Sequence, residues 1–364
     1  MITPGDDYPI HQTPEPVQQV FTSDRNFYDR FFFNGYWREG APYFAVAMGE
    51  YPNLGIIDGA FSVAVDGVQH CVRGSRVMGA DRLDTRVGPL SIEIVKPMQQ
   101  MRIRVNHEAV KAELLFDARA MAIEEPRFTS RSGPRIVMDL TRMTQHGGYT
   151  GFIEVAGKRH EAKADRTWGS RDRSWGVRNV GERDPAGVPS PAIPQFFWLW
   201  APTNFEKTCT HFDVNEYSDG SRWHQVGVIA PAEVNRSPEY VTSVDHKITF
   251  RPGTRHARRA EIILKSASGK ERQVELEVLY NFYMSGIGYF HPRWGHGMWV
   301  GTDESTYESF KTAEVDEHDL LFQHIQAVSR ARIDKETGGV GILEMIILGP
   351  HQPSGFKEFM DWHG

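Results

Sequence analysis

The segment from Asp165 to Arg178 holds the densest group of residues capable of chemistry, with four arginines, two aspartates and two tryptophans in fourteen residues. Alternate residues of a β-strand share a face, so a strand here would sort these side chains into two sets. The first set is Ser170, Asp172 and Ser174, and the second is Arg171, Arg173 and Trp175. Only the first set contains a carboxylate, which makes its face the candidate for proton transfer.

Asp172 has several possible roles, which depend on its surroundings. If it points into the lumen of a β-barrel, the loss of water would raise the pKa of its carboxyl group. Such an acid can donate a proton to a substrate near neutral pH. A neighbouring arginine could instead hold Asp172 ionised, as a base or as part of an arginine–aspartate network that joins two strands.

A second candidate region runs from Gly286 to Trp299, where glycines allow tight bends or the close approach of a ligand. Its candidate ligand contacts are Tyr289, His291, Trp294 and His296. The two histidines could act as acid and base, bind a metal or be purely structural. Their spacing is not a zinc pattern, and a metal would need a third ligand such as His211 or Asp213, so no metal is predicted.

Two further segments contribute candidate residues. Thr141–Tyr149 precedes the strand that leads to the first region, and a β-hairpin would bring His146 or Tyr149 near Asp172. The alternative is a glycine-rich hairpin corner without a role in chemistry. The aromatic run 196–200, which includes Trp198, could line a second barrel, although such a stripe also fits a core.

Composition and missing motifs exclude several classes of function. The net charge of −6 argues against a nucleic-acid partner, and no apolar run approaches the roughly 18 residues of a membrane span. Cys71 and Cys209 form no metal-like pair and fit a reducing cytoplasm. Without a phosphate-binding loop, a dinucleotide fingerprint or a nucleophile elbow, chemistry without a cofactor is expected. The expected partner is a hydrophobic small molecule, and a homodimer is compatible with the sequence.

The framework that positions these residues is predicted to be β-structure, because apolar and polar residues alternate with a period of two. Residues 58–67 show this alternation, and residues 340–348 form the apolar run of a central strand. We therefore predict an all-β fold of antiparallel barrels or sandwiches with few short helices, one of them within residues 24–33. A proline-rich linker near residue 185 predicts two domains, 1–185 with an extended N-terminal arm, and 186–364.

The run Arg-Asp-Arg-Ser-Trp-Gly-Val-Arg at 171–178 resembles a hallmark of the tandem lipocalin-like proteins related to carotenoid 1,2-hydratase (hydroxyneurosporene synthase) and AttH-like proteins. Four more segments resemble a bacterial branch of this group to which no function is assigned: Asn34-Gly-Tyr36, Tyr51-Pro-Asn-Leu-Gly55, Thr141-Arg-Met-Thr-Gln-His146 and Gly288-Tyr-Phe-His-Pro-Arg-Trp-Gly-His-Gly297. The resemblance spans nearly the whole chain. It implies two lipocalin-like barrels packed in tandem, with a ligand cavity at or near one of them.

The resemblance also bears on Asp172. In the hydratase, a Tyr-x-Asp motif followed by a basic residue and Trp-Gly contributes to catalysis. The matching residues here run from Ser170 to Gly176, with the aspartate kept at Asp172 and Ser170 in place of the tyrosine. This match implies that the acid is retained while the substrate differs.

We therefore expect a cofactor-independent lyase (a hydratase, a dehydratase or an aldehyde-releasing enzyme) or an isomerase or cyclase. Its substrate would be a hydrophobic terpenoid, polyketide or lignin-type aromatic. Asp172 is the expected proton donor or acceptor, and His146, His291 or His296 the complementary group. The predicted substrate contacts are Trp168, Ser170, Arg171, Arg173, Trp175, Tyr149, Tyr289, Trp294 and Trp198. The alternative is a carrier or sensor of a lipophilic ligand, which needs an apolar pocket but no convergent acid and base.

Overall fold

Antiparallel β-strands form most of the structure, as the alternation predicts. The computed structural model of the chain describes residues 1–184, 187–188 and 192–363. The strands of the N-terminal half are β1 (Phe27–Trp37), β2 (Tyr43–Tyr51), β3 (Ile56–Val65), β4 (Val68–Val77), β5 (Arg86–Val87), β6 (Leu90–Lys96), β7 (Gln100–Asn106), β8 (Val110–Ala118), β9 (Ile123–Glu124), β10 (Phe128–Ser132), β11 (Arg135–Val155), β12 (Lys158–Ala162) and β13 (Thr167–Arg178). Those of the C-terminal half are β14 (Phe196–Trp200), β15 (Thr203–Asn204), β16 (Thr208–Glu216), β17 (Arg222–Pro231), β18 (Glu239–Tyr240), β19 (Ser243–Phe250), β20 (Ala257–Lys265), β21 (Glu271–Tyr283), β22 (Asp303–Lys311), β23 (Ile325–Ile333) and β24 (Glu336–Leu348).

Helical structure in the described ranges is limited to single turns of 3₁₀ helix. These turns are Pro4–Asp7, Met284–Ile287, Thr312–Glu314, Leu320–Phe322 and Gln352–Ser354. None of these turns has the length or the apolar character that a helix needs to cross a bilayer. The predicted all-β class with few short helices is confirmed.

The first sheet curls into a nearly closed barrel around an apolar interior. Its main path runs β22-β4-β3-β2-β1-β13-β11-β8-β7-β6-β5, with β9, β10 and β12 pairing to β11. Side chains at alternate positions, such as Phe31 and Phe33 of β1 and Phe44 and Val46 of β2, fill the interior. The second sheet follows the order β18-β17-β16-β14-β24-β23-β21-β20-β19, and β15 pairs with β16 and β24.

The two sheets pack against each other through a third apolar cluster, built from the opposite faces of their strands. Phe32, Tyr36 and Trp168 of the first sheet contact this cluster, as do Trp200 and Phe282 of the second. The C-terminal half also contributes a strand to the first sheet, because β22 pairs with β4 of the barrel. The predicted boundary at residues 185 and 186 lies outside the described residues.

The helix predicted within residues 24–33 is wrong, because this stretch enters β1. Strand β1 pairs with β2 on one side and with β13 on the other. Its successive aromatic residues are buried on both faces, Phe31 in the barrel interior and Phe32 in the cluster between the sheets. Burial on both faces hides the period-two pattern that would have identified a strand from the sequence.

The pairing of β1 with β13 predicts a steric test of the fold. A Cβ atom at Gly169 would lie 2.0 Å from the carbonyl oxygen of Asn34, an atom of the paired backbone that cannot move independently. Gly169→Ala should therefore lower the free energy of unfolding by about 3 kcal/mol in urea denaturation, the upper range for overpacking. The control is Gly79→Ala, at a position with nothing within 4 Å, which should change it by less than about 0.5 kcal/mol. Equal effects of the two substitutions would contradict the close pairing.

Candidate functional site

A small cavity between the two sheets combines aromatic walls with several charged groups. Its volume is about 110 Å³. Its aromatic wall includes Phe32, Phe128, Phe196, Trp198 and Trp200. Its ionisable lining consists of Tyr28, Arg30, Arg142, Asp172, Arg178, Tyr289 and Glu344. Both sheets contribute, so the cavity exists only when they pack together.

Asp172 lies at the centre of β13, opposite Phe32 of β1 and Thr144 of β11. Its carboxyl group lines the cavity between the sheets and not the barrel lumen considered from the sequence. Within the ranges that the structure describes, this carboxyl group makes no hydrogen bond and no ion pair. Burial raises its pKa to about 6, although the positive charges of Arg142 and Arg30 act in the opposite direction. Asp172 can therefore keep its proton up to about pH 6, well above the ordinary range of an aspartate, and release it into the cavity.

The alternation predicted for β13 separates the two sets of side chains. Ser174 lines the cavity with Asp172, whereas Ser170 is buried and its hydroxyl donates to Asn34 Oδ1 at 2.9 Å. Trp168, also on this face, packs in the cluster between the sheets, outside the cavity lining. The structure thus brings Asp172 and Ser174 together and leaves Ser170 and Trp168 in structural contacts.

Three predicted substrate contacts of β13 point the other way, toward the barrel. The Arg173 guanidinium lies over the ring of Phe31, 3.7 Å from its centroid, and the Arg171 guanidinium lies near Phe116. Trp175 is 42% exposed at the barrel rim. These side chains are directed away from the Asp172 cavity because they occupy the intervening positions of the same strand.

Glu344 on β24 faces the same cavity from the second sheet. Its Oε1 contacts His324 Nε2 at 2.6 Å, and its Oε2 accepts a hydrogen bond from Gln326 Nε2 at 2.5 Å. The hydroxyl of Tyr43 in turn donates to Gln326 Oε1. These contacts fix the carboxylate in one orientation. Sequence reasoning missed Glu344, and the available signal was a lone carboxylate within the apolar run 340–348.

Arg142 connects the cavity to a buried polar cluster. Its Nη2 donates to Glu125 Oε2 at 2.6 Å and also to the Asp213 carboxylate of the second sheet. Burial raises the pKa of Asp213, so Glu125 supplies the main charge opposite Arg142. Ligand atoms of Glu125, Asp213 and His224 lie within 4.8 Å of one another, which makes them the candidate metal ligands of the described residues. A cation there would compete with the guanidinium already bonded to both carboxylates.

The predicted histidines do not converge on Asp172. His146 is fully buried near His211, and neither of its ring nitrogens has a hydrogen-bond partner among the residues described. Burial lowers its pKa well below the usual value, so His146 is neutral. His291 accepts hydrogen bonds from the backbone amides of Arg293 and Trp294, which orders its own loop.

Tyr289 is the member of the second sequence region that reaches the cavity. Its hydroxyl accepts a hydrogen bond from Arg30 Nη1 at 2.8 Å, and its ring packs edge-on to His296. A wider outer cleft of about 860 Å³, lined by His291 and His296, shares Tyr289 and Arg178 with the cavity. Trp294 supports the same loop without lining this cleft.

Tyr149 and Trp198, from the remaining two segments, have different surroundings. Tyr149 is buried in the barrel interior, where its hydroxyl donates to the carbonyl oxygen of Asn34 at 2.8 Å. Trp198 lines the Asp172 cavity and donates its indole N–H to Asp213 at 2.9 Å. The aromatic strand therefore supplies a wall of the cavity. Residues 141–149 are not a hairpin corner, because they lie in the middle of β11, where Tyr149 packs in the barrel core.

Comparison with other proteins identifies the family and the fold. The profile of a family described as "Family of unknown function (DUF8625)" matches residues 2–357, and the chain belongs to this family. No curated protein matches the chain. The structure is similar to that of an AttH-like protein from Nitrosomonas europaea, with a TM-score of 0.54 and 12% identity over 90% of this chain and 96% of that one. It is also similar to kievitone hydratase from Nectria haematococca, with a TM-score of 0.53 and 11% identity over 87% of this chain and 88% of that one. The predicted resemblance to AttH-like and hydratase-related proteins is confirmed for the fold.

The unpaired carboxyl group of Asp172 should make stability depend on pH. The folded state binds this proton more tightly than the unfolded chain, whose aspartates titrate near 3.9. The resulting stabilisation is complete below about pH 4 and is lost as the pH rises through about 6. Asp172→Asn should therefore raise the free energy of unfolding, relative to the unmodified chain, by about 1 kcal/mol more at pH 8 than at pH 5.

The measurement is urea denaturation at the two pH values. Asp303→Asn is the matched control, because the Asp303 side chain is exposed and should give no difference between pH 5 and pH 8. A pH-independent effect of Asp172→Asn would show that this carboxyl group is not held in a desolvated state.

Proposed function

We propose that this member of the DUF8625 family is a cofactor-independent acid–base enzyme that removes water from, or adds water to, a hydrophobic small molecule. The observation that carries the proposal is the Asp172 carboxyl group, which has a raised pKa, lines an aromatic cavity and lacks a partner among the described residues. Similarity of fold to kievitone hydratase is consistent with this class of reaction. An aldehyde-releasing lyase or an isomerase could use the same groups.

The charges around the cavity favour a substrate that carries an oxygen atom. Arg30 is buried, and its Nε and Nη2 have no acceptor among the described residues. With Arg142 and Arg178, three guanidinium groups line a cavity that contains two carboxyl groups. Such surroundings stabilise negative charge that develops on an oxygen and disfavour a carbocation. We therefore propose a substrate with a carbonyl or phenolic oxygen, which the free N–H groups of Arg30 would bind.

In the dehydration direction, Asp172 donates its proton to the leaving hydroxyl group as the carbon–oxygen bond breaks. Glu344 accepts a proton from the neighbouring carbon or from a phenolic hydroxyl, and the released electron pair forms the new double bond. The products are the unsaturated molecule and water. Asp172 is left ionised and Glu344 protonated, and exchange with solvent restores both groups. Hydration is the reverse of these steps.

The size of the cavity limits what it can accept. About 110 Å³ suits the reacting end of a molecule and not a whole polyketide or terpenoid. The remainder of the substrate would lie in the outer cleft, which shares the lining residues Tyr289 and Arg178 with the cavity. In this arrangement His291 and His296 contact the distal part of the substrate and do not transfer protons.

A carrier or sensor of a lipophilic ligand is the second candidate. A carrier has no use for an unpaired acid, and an Asp172–arginine ion pair on the barrel exterior would have favoured it. Among the described residues, Asp172 forms neither such a pair nor a hydrogen bond to a histidine. A carrier role gains support from a different part of the molecule, the open mouth of the first barrel.

Activity should depend on the protonated form of Asp172. With benzylic alcohols of phenols and β-hydroxy aryl ketones as test substrates, the rate of dehydration should fall about tenfold per pH unit above about 6. Asp172→Asn should lower kcat at least 100-fold, the usual contribution of a general acid, and remove this pH dependence. Product formation is measured by mass spectrometry as a loss of 18 mass units, or in H₂¹⁸O for hydration.

Glu344→Gln should lower kcat by a similar factor and keep the fall in rate with rising pH, which belongs to Asp172. The midpoint of that fall should move to lower pH, because the charge of Glu344 helps to raise the pKa of Asp172. Asp303→Asn serves again as the control and should retain full activity, because its side chain is exposed. Unchanged turnover in Asp172→Asn would refute the proposed mechanism, and absence of turnover in every variant and in the unmodified chain would favour the carrier.

A further inference from the structure

Arg171 is a buried cation without a counter-ion among the residues that the structure describes. It is 1% exposed, and its Nε and Nη2 both donate to Gln145 Oε1, at 2.9 and 2.7 Å. Gln145 in turn donates to the carbonyl oxygens of Met98 and Ala120. The amide of Gln145 therefore anchors the guanidinium without neutralising it. No carboxylate of the described chain forms an ion pair with Arg171.

Burying an unpaired cation is unfavourable for folding, so this arrangement needs an explanation. Burial and the nearby charge of Arg173 lower the pKa of Arg171 to about 10, which leaves it protonated at neutral pH. Arg173 differs, because it forms an ion pair with Asp29 at 2.6 Å. A bound anion would supply the missing charge at Arg171.

The space beside Arg171 is an open apolar cavity of about 600 Å³ at the mouth of the first barrel. Its walls are Phe31, Ile94, Met98, Met101, Met143 and Trp175. Ile94 and Met98 are each 50% exposed, which leaves a large apolar surface in contact with water. Methionine side chains adapt to ligands of different shape. The charged lining consists of Arg171, Arg173 and Glu124. Because Arg173 is paired with Asp29, Arg171 is the arginine of this lining that forms no ion pair within the described residues.

We propose that the mouth of the first barrel binds an amphipathic monocarboxylate, such as a medium-chain fatty acid. The carboxylate would accept hydrogen bonds from Arg171, and the chain would lie along Met98, Met143 and Trp175. This site is distinct from the Asp172 cavity, because Arg171 and Asp172 project from opposite faces of β13. It does not depend on the proposed dehydration chemistry.

The test compares decanoate with decan-1-ol, which has the same chain without the charge, by isothermal titration calorimetry on the full chain. Decanoate should bind at least 10-fold more tightly, as expected for a charge-assisted hydrogen bond. In Arg171→Gln, decanoate and decan-1-ol should bind with about equal affinity. Arg102→Gln, a control on the same barrel that removes an arginine paired with Glu93, should keep the preference.

Two more variants make the test independent of the folding of Arg171→Gln. Ile94→Glu places a carboxylate at the exposed mouth and should abolish binding of decanoate. Trp198→Ala, which alters the Asp172 cavity, should leave it unchanged. Equal affinity for acid and alcohol in the unmodified chain would overturn the proposal. Loss of binding in Trp198→Ala with retention in Ile94→Glu would also overturn it, since decanoate would then occupy the cavity between the sheets.

Discussion

Antiparallel pairing of β13 with both β1 and β11 is the constraint on which the two proposed sites depend. Backbone hydrogen bonds on its two edges fix the register, with Asp172 opposite Phe32 and Thr144. A shift by one residue would exchange the faces of every side chain on the strand. Close approach at Gly169, where even a Cβ atom would meet the Asn34 carbonyl oxygen, opposes such a shift.

This fixed register gives one strand two chemical environments. On one face, packing of the second sheet removes water from Asp172 and raises its pKa to about 6. On the other face, the barrel interior encloses Arg171, whose guanidinium donates hydrogen bonds to the side-chain amide oxygen of Gln145. Neither group forms an ion pair within the described residues, and burying an ionisable group without one destabilises the folded protein. The dense motif thus carries the two proposed sites, one on each face of β13.

The second sheet completes the first of these sites. Glu344 and its supporting residues His324 and Gln326 come from β23, β24 and the turn before them, more than 150 residues beyond Asp172 in the chain. Arg142 ties the sheets together through Asp213 and contributes its charge to the cavity wall. The same packing that buries the aromatic cluster between the sheets therefore raises the pKa of Asp172 and places the Glu344 carboxylate in the same cavity.

The sequence by itself determined the all-β class, through period-two alternation, and the segregation of Asp172 from Arg171 and Arg173, because strand geometry is local. It did not reveal which face met the second sheet, and so it suggested the barrel lumen for Asp172. The short helix predicted within residues 24–33 was wrong for a related reason, since burial on both faces of β1 depends on partners distant in the chain. Only tertiary structure brought Glu344 to the cavity and directed Tyr149 into the barrel core. Pairing across the sheets, not local propensity, decides which buried charges lie close enough to act together.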